Sequence, residues 1–298
     1  MKNIFKSFLI LGASASILTG CIEETYPTSG VTTEQVGESS KSLESIVKGM
    51  PAYMKKYHVW STNAFDFGYP SVFIAMNVMT NDMIQYYSGY QHFLYWQEVS
   101  ISVDPEYLLS QINWYYLNFQ VKAANEVIEL VNEPANDEQV KYLAEALAYR
   151  SATYLDMSRL YEFLPNETIS GVNSAGNDVT GLTVPYVTPG MTSEELSNNP
   201  RLPHAEMVEK LLGDLTRAEE LFKSTSAARE SKLFPDLAVV YGLMARVYMW
   251  DENYPKAAEY ARLAITTGSQ YRPLTEAEWH DKQNGFNNSS YASWMWAI

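Results

Sequence analysis

The side chains best suited to ligand binding are concentrated between Thr80 and Trp96. Aromatic and polar residues are mixed there around Ser88-Gly89, without the periodicity of a helix or a strand. An aromatic ring stacks on the apolar C–H face of a sugar, while amides and carboxylates hydrogen-bond to its hydroxyl groups. The segment therefore predicts ligand contacts, although many of these aromatics could instead pack beneath a helical layer. The candidates are Asn81, Asp82, Tyr86, Tyr87, Tyr90 and Trp96, of which Trp96 and Tyr90 are the strongest. A second, weaker candidate is the aromatic-polar stretch from Asn284 to Trp296.

Cys21 is the single cysteine of the 298 residues, and it follows an N-terminal apolar stretch. Lys2 and Lys6 precede this stretch, and Leu18-Thr19-Gly20-Cys21 matches the lipobox of a bacterial lipoprotein signal. Cleavage before Cys21 would allow acylation there, and each buried CH₂ group of the acyl chains contributes ~0.8 kcal/mol to membrane binding. A buried structural cysteine and a transmembrane anchor are the alternatives. The second is disfavoured because the apolar run is shorter than the ~20 residues that a span requires.

Residue types typical of catalytic or metal sites do not occur in recognisable spacings. The four histidines, His58, His92, His204 and His280, are far apart in the chain. No nucleophile motif or glycine-rich phosphate loop is present, so we expect no enzyme activity, metal or cofactor. A carboxylate pair that meets only in the folded chain, as in a glycoside hydrolase, is the remaining enzymatic alternative.

The composition indicates a folded, acidic protein. Hydrophobic residues make up 46% of the chain, which is enough for a substantial core. The formal net charge of −14 would repel the phosphates of nucleic acids, so nucleic-acid binding is excluded.

Apolar periodicity predicts an all-α protein with long loops. Residues 1–20 are assigned to a signal peptide, 21–40 to a flexible tether, and 41–298 to the helical domain. The long segment 165–202 is rich in Gly and Pro and is interpreted as a loop containing a short strand at Leu182-Thr183-Val184. The predicted helices are 42–57, 105–132, 138–163, 203–223, 235–250 and 254–267.

The pair of helices in 235–268 matches the register of a tetratricopeptide repeat at Ala245, Tyr248, Tyr254, Ala257 and Ala264. Small alanines at these positions allow close packing, and the tyrosines are expected to fill the adjacent groove. Glu252 departs from the pattern, because it stands at the turn position where the repeat usually has glycine. Since one repeat cannot bury its own face, we expect the hairpin of 105–163 to stack on this pair.

Several motifs, in this order behind a lipobox, resemble the SusD/RagB family of surface lipoproteins of Bacteroidota. The resemblance runs from Cys21 to Ile298. It is carried by Trp114-Tyr115-Tyr116, Val121-Lys122-Ala123-Ala124-Asn125, Ala144-Glu145-Ala146, Arg150, Ala152, Tyr154, Leu160, Tyr161, Pro165, Val184-Pro185-Tyr186-Val187, Pro200-Arg201, Glu206, Asp214-Leu215 and Ala218.

The resemblance implies a non-catalytic binding protein, lipid-anchored on the exterior of the cell outer membrane. It would capture oligosaccharide or polysaccharide and deliver it to a SusC-type TonB-dependent transporter. Glu23 and Glu24 are similar to the surface-export signal of these bacteria, although plain solubility explains them equally well. A RagB-like protein that takes up peptides is the alternative, and a surface glycoside hydrolase is the third possibility. Family members are considerably longer, and the chain stops at the apolar segment Ser293–Ile298, so we expect a C-terminally truncated fragment.

Overall fold

The computed structural model describes residues 39–56, 67–80, 83–84, 108–165, 167–283 and 288–298. Within these ranges the chain is mainly helical, as predicted. The elements, in chain order, are α1 (Ser40–Met54), α2 (Tyr69–Met79), α3 (Leu108–Leu130), α4 (Asp137–Tyr161), β1 (Leu182–Pro185), α5 (Ser193–Ser197), β2 (Arg201–Pro203), α6 (His204–Ser224), α7 (Leu237–Trp250), α8 (Tyr254–Thr267) and α9 (Glu276–Trp279).

Helix α4 is the centre of the molecule. Every residue from 141 to 155 is buried, so this helix is covered on all sides. Its N-terminus is fixed by Asn136, whose side chain accepts a hydrogen bond of 3.0 Å from the backbone N–H of Gln139. Because the helix has no solvent-facing side over this stretch, each of its polar side chains requires a partner within the protein.

The other helices are layered around α4. Helix α3 forms the predicted antiparallel hairpin with α4, α1 packs on α3, and α6 packs on the other side of α4. The predicted stacking of this hairpin directly on the repeat pair is largely wrong, because α6 lies between them and packs against both α4 and α7, whereas α4 and α7 touch one another little. Helix α6 has the continuous apolar face needed for this position, with Met207, Leu211, Leu215 and Ala218 buried.

Helices α7 and α8 form the predicted repeat pair. Ala245, Ala257 and Ala264 are buried in it, which confirms their role as close-packing residues. Tyr248 packs against Tyr260 with ring centroids 5.4 Å apart. Tyr254, in contrast, is exposed, so the prediction that it fills the groove is wrong.

The turn between α7 and α8 places Glu252 at φ 57°, a left-handed conformation that favours glycine. Glu252, which replaces the glycine of the repeat pattern, is therefore under local backbone strain. Gly268 ends α8 as predicted, but its φ of −93° is ordinary. A glycine is required there by space, because a Cβ atom would lie 2.9 Å from the Tyr271 ring and 3.0 Å from the Ala264 carbonyl oxygen.

The segment 165–202 contains the predicted strand. β1 pairs antiparallel with β2, and a single turn, α5, lies between them. Arg201 ties this segment to the end of α4, because its guanidinium donates to the backbone oxygens of Thr183 at 2.6 Å and Tyr161 at 2.7 Å. The segment is thus an ordered part of the fold.

Helix α2 was not predicted from the sequence. Its residues are apolar around most of the helix, and an apolar run of eleven residues without a clear stripe does not distinguish a helix from a buried strand. Pro70 in its first turn suits a helix start. Of the helices in the described ranges, none is long and apolar enough to cross a membrane.

Candidate ligand-binding site

A cavity of about 540 Å³ lies where five helices meet the C-terminal segment. Its volume is within the range of small-molecule sites, roughly 300–1,000 Å³. Apolar and aromatic side chains form most of the lining, with a small number of polar groups among them. The lining residues are Met54, Tyr69, Pro70, Phe73, Ile74, Gln120, Ala152, Thr153, Asp156, Arg246, Trp294, Trp296 and Ile298.

Asp156 joins three helices at the edge of this cavity. From α4, its carboxylate accepts a hydrogen bond of 2.9 Å from Arg246 Nη2 on α7 and another from the Tyr69 hydroxyl on α2. Burial raises the pKa of Asp156 above its ordinary value, and the charge of Arg246 opposes that rise. The carboxylate therefore holds the Arg246 side chain at the cavity while its own oxygens are occupied.

Aromatic rings give the cavity its flat apolar surfaces. Tyr69 packs edge-on against Phe73 with centroids 4.8 Å apart, and it lies nearly parallel to Tyr116 at 6.4 Å. Phe73 is 40% exposed and lines the cavity, so its ring is accessible there. The ring surfaces of Tyr69 and Phe73, together with those of Trp294 and Trp296, suit stacking against the apolar face of a ligand.

The C-terminal segment is fixed in place by contacts with residues 229–233. Trp296 Nε1 donates to the Leu233 carbonyl oxygen at 2.9 Å, and its ring packs edge-on against buried Tyr149 at 5.1 Å. Arg229 Nη2 donates to the Met295 carbonyl oxygen at 2.8 Å. These contacts pre-organise the tryptophans of the segment at the cavity.

Gln120 contributes a polar group that the protein leaves unused. It is only 3% exposed and lines the cavity, yet its Nε2 has no hydrogen-bond partner among the described residues. An unpaired buried polar group costs about 1–3 kcal/mol. A ligand oxygen in the cavity would satisfy this donor.

A second polar cluster, which we call the Arg150 network, lies on another side of α4. Arg150 donates two hydrogen bonds to Asp214, from Nε at 2.8 Å and from Nη2 at 2.7 Å, and a third to Asn125 Oδ1 at 2.8 Å. Asp214 also accepts from the Tyr186 hydroxyl at 2.9 Å, and Asn125 donates to the Val187 carbonyl oxygen at 3.0 Å. Burial and the nearby Asp214 carboxylate raise the pKa of Tyr186, so its hydroxyl remains a donor. The network joins α3, α4, α6 and the segment after β1.

The Arg150 network explains several motif residues quoted from the sequence. Asn125, Arg150, Tyr186 and Asp214, which are distant in the sequence, are one buried hydrogen-bonded group. Their geometry is saturated, since the charged groups of Arg150 and Asp214 pair with one another. These residues therefore hold the helices together, and their charged groups are already paired.

The sequence-predicted binding residues lie outside the described residues. This applies to Asn81, Asp82, Tyr86, Tyr87, Tyr90 and Trp96, and also to Cys21 and the lipobox. Their assignment remains a prediction. The predicted segment begins at Thr80, where α2 ends, whereas Tyr69 and Phe73 line the cavity at the start of the same helix. An eleven-residue helix spans about 16 Å, so α2 connects the cavity to the start of the predicted segment.

The second candidate stretch is described from residue 288 onward, and it supplies Trp294 and Trp296 to the cavity. The other lining residues were missed. Gln120 carried a signal, because it is a polar residue on the apolar face between Tyr116 and Ala124. Asp156 and Arg246 carried none, since their pairing depends on the packing of α4 beside α7.

Of the histidines that the structure describes, His280 is exposed and His204 has structural surroundings. His204 Nδ1 lies 2.8 Å from Glu162 Oε1, and its ring packs on Trp250 at 4.0 Å. No group of three potential metal-ligating side chains is found in the described ranges.

Solved structures share this fold. A SusD-like carbohydrate-binding protein from Bacteroides vulgatus matches 86% of this chain with a TM-score of 0.69 and 19% identity, over 50% of its own length. A SusD-like carbohydrate-binding protein from Bacteroides fragilis matches 83% with a TM-score of 0.58 and 13% identity, over 44% of its length. A SusD superfamily protein from Bacteroides thetaiotaomicron matches 80% with a TM-score of 0.55 and 17% identity, over 49% of its length.

The chain thus spans about half the length of the solved structures that it matches. No protein-family model and no curated protein matches it.

Proposed function

We propose that this chain, whose fold is SusD-like, is a glycan-binding lipoprotein of the cell surface. The observation that carries the proposal is the cavity between α2, α4, α7 and the C-terminal segment, where aromatic surfaces surround an unpaired buried amide. Sugars combine apolar faces with many hydroxyl oxygens, and this cavity offers a complement to both. The carbohydrate-binding proteins among the similar structures support the same ligand class.

The lipobox at Cys21 supports anchoring to the outer membrane, facing the exterior, through acyl chains. Delivery of the bound glycan to a SusC-type TonB-dependent transporter completes the proposal. This partner rests on the resemblance in sequence. The protein would act by binding and transfer, without turnover of the glycan.

Affinity gel electrophoresis of the purified chain across plant, host and microbial polysaccharides tests the proposal. We expect one class of polysaccharide to retard migration without releasing products. Phe73→Ala should weaken the retardation, because it removes an exposed ring of the cavity. Tyr254→Ala removes an exposed ring on α8, away from the cavity, and should leave the retardation unchanged. Equal retardation of the two variants would refute the site.

Two further variants, Trp96→Ala and Tyr90→Ala, test the sequence-predicted segment in the same gels. Weaker retardation of either would add that segment to the site. If a folded chain is retarded by none of the polysaccharides, the glycan assignment is wrong. Binding of peptides in its place would favour the RagB-like alternative, and product release abolished by one carboxylate substitution would indicate a hydrolase.

A further inference from the structure

Most of the polar groups that remain uncommitted at the cavity are hydrogen-bond donors. Gln120 Nε2 is buried and has no hydrogen-bond partner in the described part of the chain. Arg246 uses Nη2 on Asp156, and its Nε and Nη1 make no hydrogen bond within the described part of the chain. Both oxygens of Asp156 are already engaged, one by Arg246 and the other by Tyr69. A ligand therefore meets an excess of donors over acceptors.

The charges at the cavity also favour an acidic ligand group. Asp156 is compensated by Arg246, and Arg159 is close enough to act on the same carboxylate. The Arg246 side chain is 45% exposed, so its guanidinium is reachable from solvent. The chain as a whole is acidic, but charges more than about 8–10 Å away are largely screened at physiological ionic strength. Arg246 lines the cavity, and it is the cation that a ligand carboxylate would meet there.

From these observations we infer that the cavity prefers sugars that carry a carboxylate, such as uronic acids, with Arg246 as the residue that determines this preference. A guanidinium binds a carboxylate through charge-assisted hydrogen bonds, and Nε and Nη1 are the nitrogens of Arg246 left to make them. Asp156 positions Arg246 for this contact from behind, while Gln120 donates to a second oxygen of the same sugar. The inference rests on the proposed function, because it names the class of glycan that the same site would select.

Matched pairs of sugars test this preference by isothermal titration of the purified chain. One pair is trigalacturonate with its carboxyl-reduced trisaccharide, and the other is β-1,4-linked triglucuronate with cellotriose. The members of a pair differ only in the carboxylate. We expect the acidic member of at least one pair to bind about tenfold more tightly or better, since hydrogen bonds to a charged group are roughly twice as strong as those between neutral groups. Its affinity should fall as salt is raised.

Arg246→Gln should abolish the preference of the acidic over the neutral sugar, because the substitution removes a charge and keeps an amide donor. Arg262→Gln, at an exposed position of α8, is the matched control and should retain the preference. Circular dichroism establishes that both variants are folded.

The possible results distinguish failure of the carboxylate preference from failure of glycan binding itself. Neutral members that bind as well as the acidic ones would overturn the carboxylate preference and leave glycan binding intact. The carboxylate preference would also be refuted if the Arg246→Gln variant retained it, or if only neutral polysaccharides retarded the chain. If only an acidic polysaccharide retards the chain, that polysaccharide should no longer retard the Arg246→Gln variant. No binding to any trisaccharide or polysaccharide would refute the proposed function as well.

Discussion

The Arg150 network and the Asp156 cavity are built on the same helix, α4, and they treat polar groups in opposite ways. In the network, a buried arginine, a carboxylate, an amide and a tyrosine hydroxyl satisfy one another. At the cavity, six residues further along the helix, the arginine is half exposed and the amide has no partner. A saturated cluster stabilises a fold, whereas an unsaturated cluster beside open volume is ready to bind a ligand.

The largest effect should come from breaking the network. Arg150→Met leaves the Asp214 carboxylate buried without its cation, and removing one partner of such a pair costs about 3–5 kcal/mol. Arg246→Met, the same substitution at the cavity, should cost less, because Arg246 is 45% exposed and Asp156, at 13%, keeps its hydrogen bond from Tyr69. Urea denaturation followed by circular dichroism measures both. Similar losses in the two variants would remove the distinction between the regions.

Glu145 sharpens the comparison, since it is a buried carboxyl on α4 whose Oε1 has no hydrogen-bond partner among the described residues, and it does not line the cavity. It is 1% exposed, and burial raises its pKa to about 8, with Lys141 opposing the rise. The folded state therefore binds this proton more tightly than the unfolded chain does. The free energy of unfolding should fall as pH rises from about 4.5 to about 8, and it should change no further on this account above that range.

Glu145→Gln removes the titrating group, so the variant should exceed the original chain in stability at pH 8.5 by roughly 4 kcal/mol and show little difference at pH 5. Urea denaturation at the two pH values measures this difference. Glu209→Gln, at an exposed position of α6, is the control and should have almost no effect. A Glu145→Gln difference that is independent of pH would show that the carboxyl is not held protonated.

The smallest effect on stability should come from the two amides, and it should differ in sign. Gln120→Met removes an unpaired donor and keeps the side-chain volume, so it should raise the free energy of unfolding by about 1 kcal/mol. Glycan affinity should fall at the same time, because the ligand loses that donor. Asn125→Leu removes an amide whose two ends are both paired, and it should lower stability by about 1–3 kcal/mol.

Denaturation and affinity electrophoresis on the same preparations separate the two quantities. If Gln120→Met lost stability without any change in glycan affinity, Gln120 would be a structural residue, and the cavity would resemble the network. Gain of stability with loss of binding is the signature of a polar group kept for a ligand.

The helices were predictable because their information is local. Predicted helices at 138–163, 203–223 and 254–267 correspond to α4 at 137–161, α6 at 204–224 and α8 at 254–267. Apolar stripes, Asn and Asp caps, and flanking prolines specify these boundaries. Helix α2 was missed because its apolar residues form no clear stripe. The exposure of Tyr254 was missed because the repeat register does not reveal which neighbour covers α8.

The sequence by itself determined the helical class, the repeat pair and the resemblance that the shared fold supports, since these depend on periodicity, spacing and the order of motifs. It also identified Asn125, Arg150 and Asp214, but without their role. Only the tertiary structure decided which polar groups are saturated and which face open volume. Saturation is a property of distances between helices, and Gln120, Asp156 and Arg246 meet only after α3, α4 and α7 have packed around a common centre.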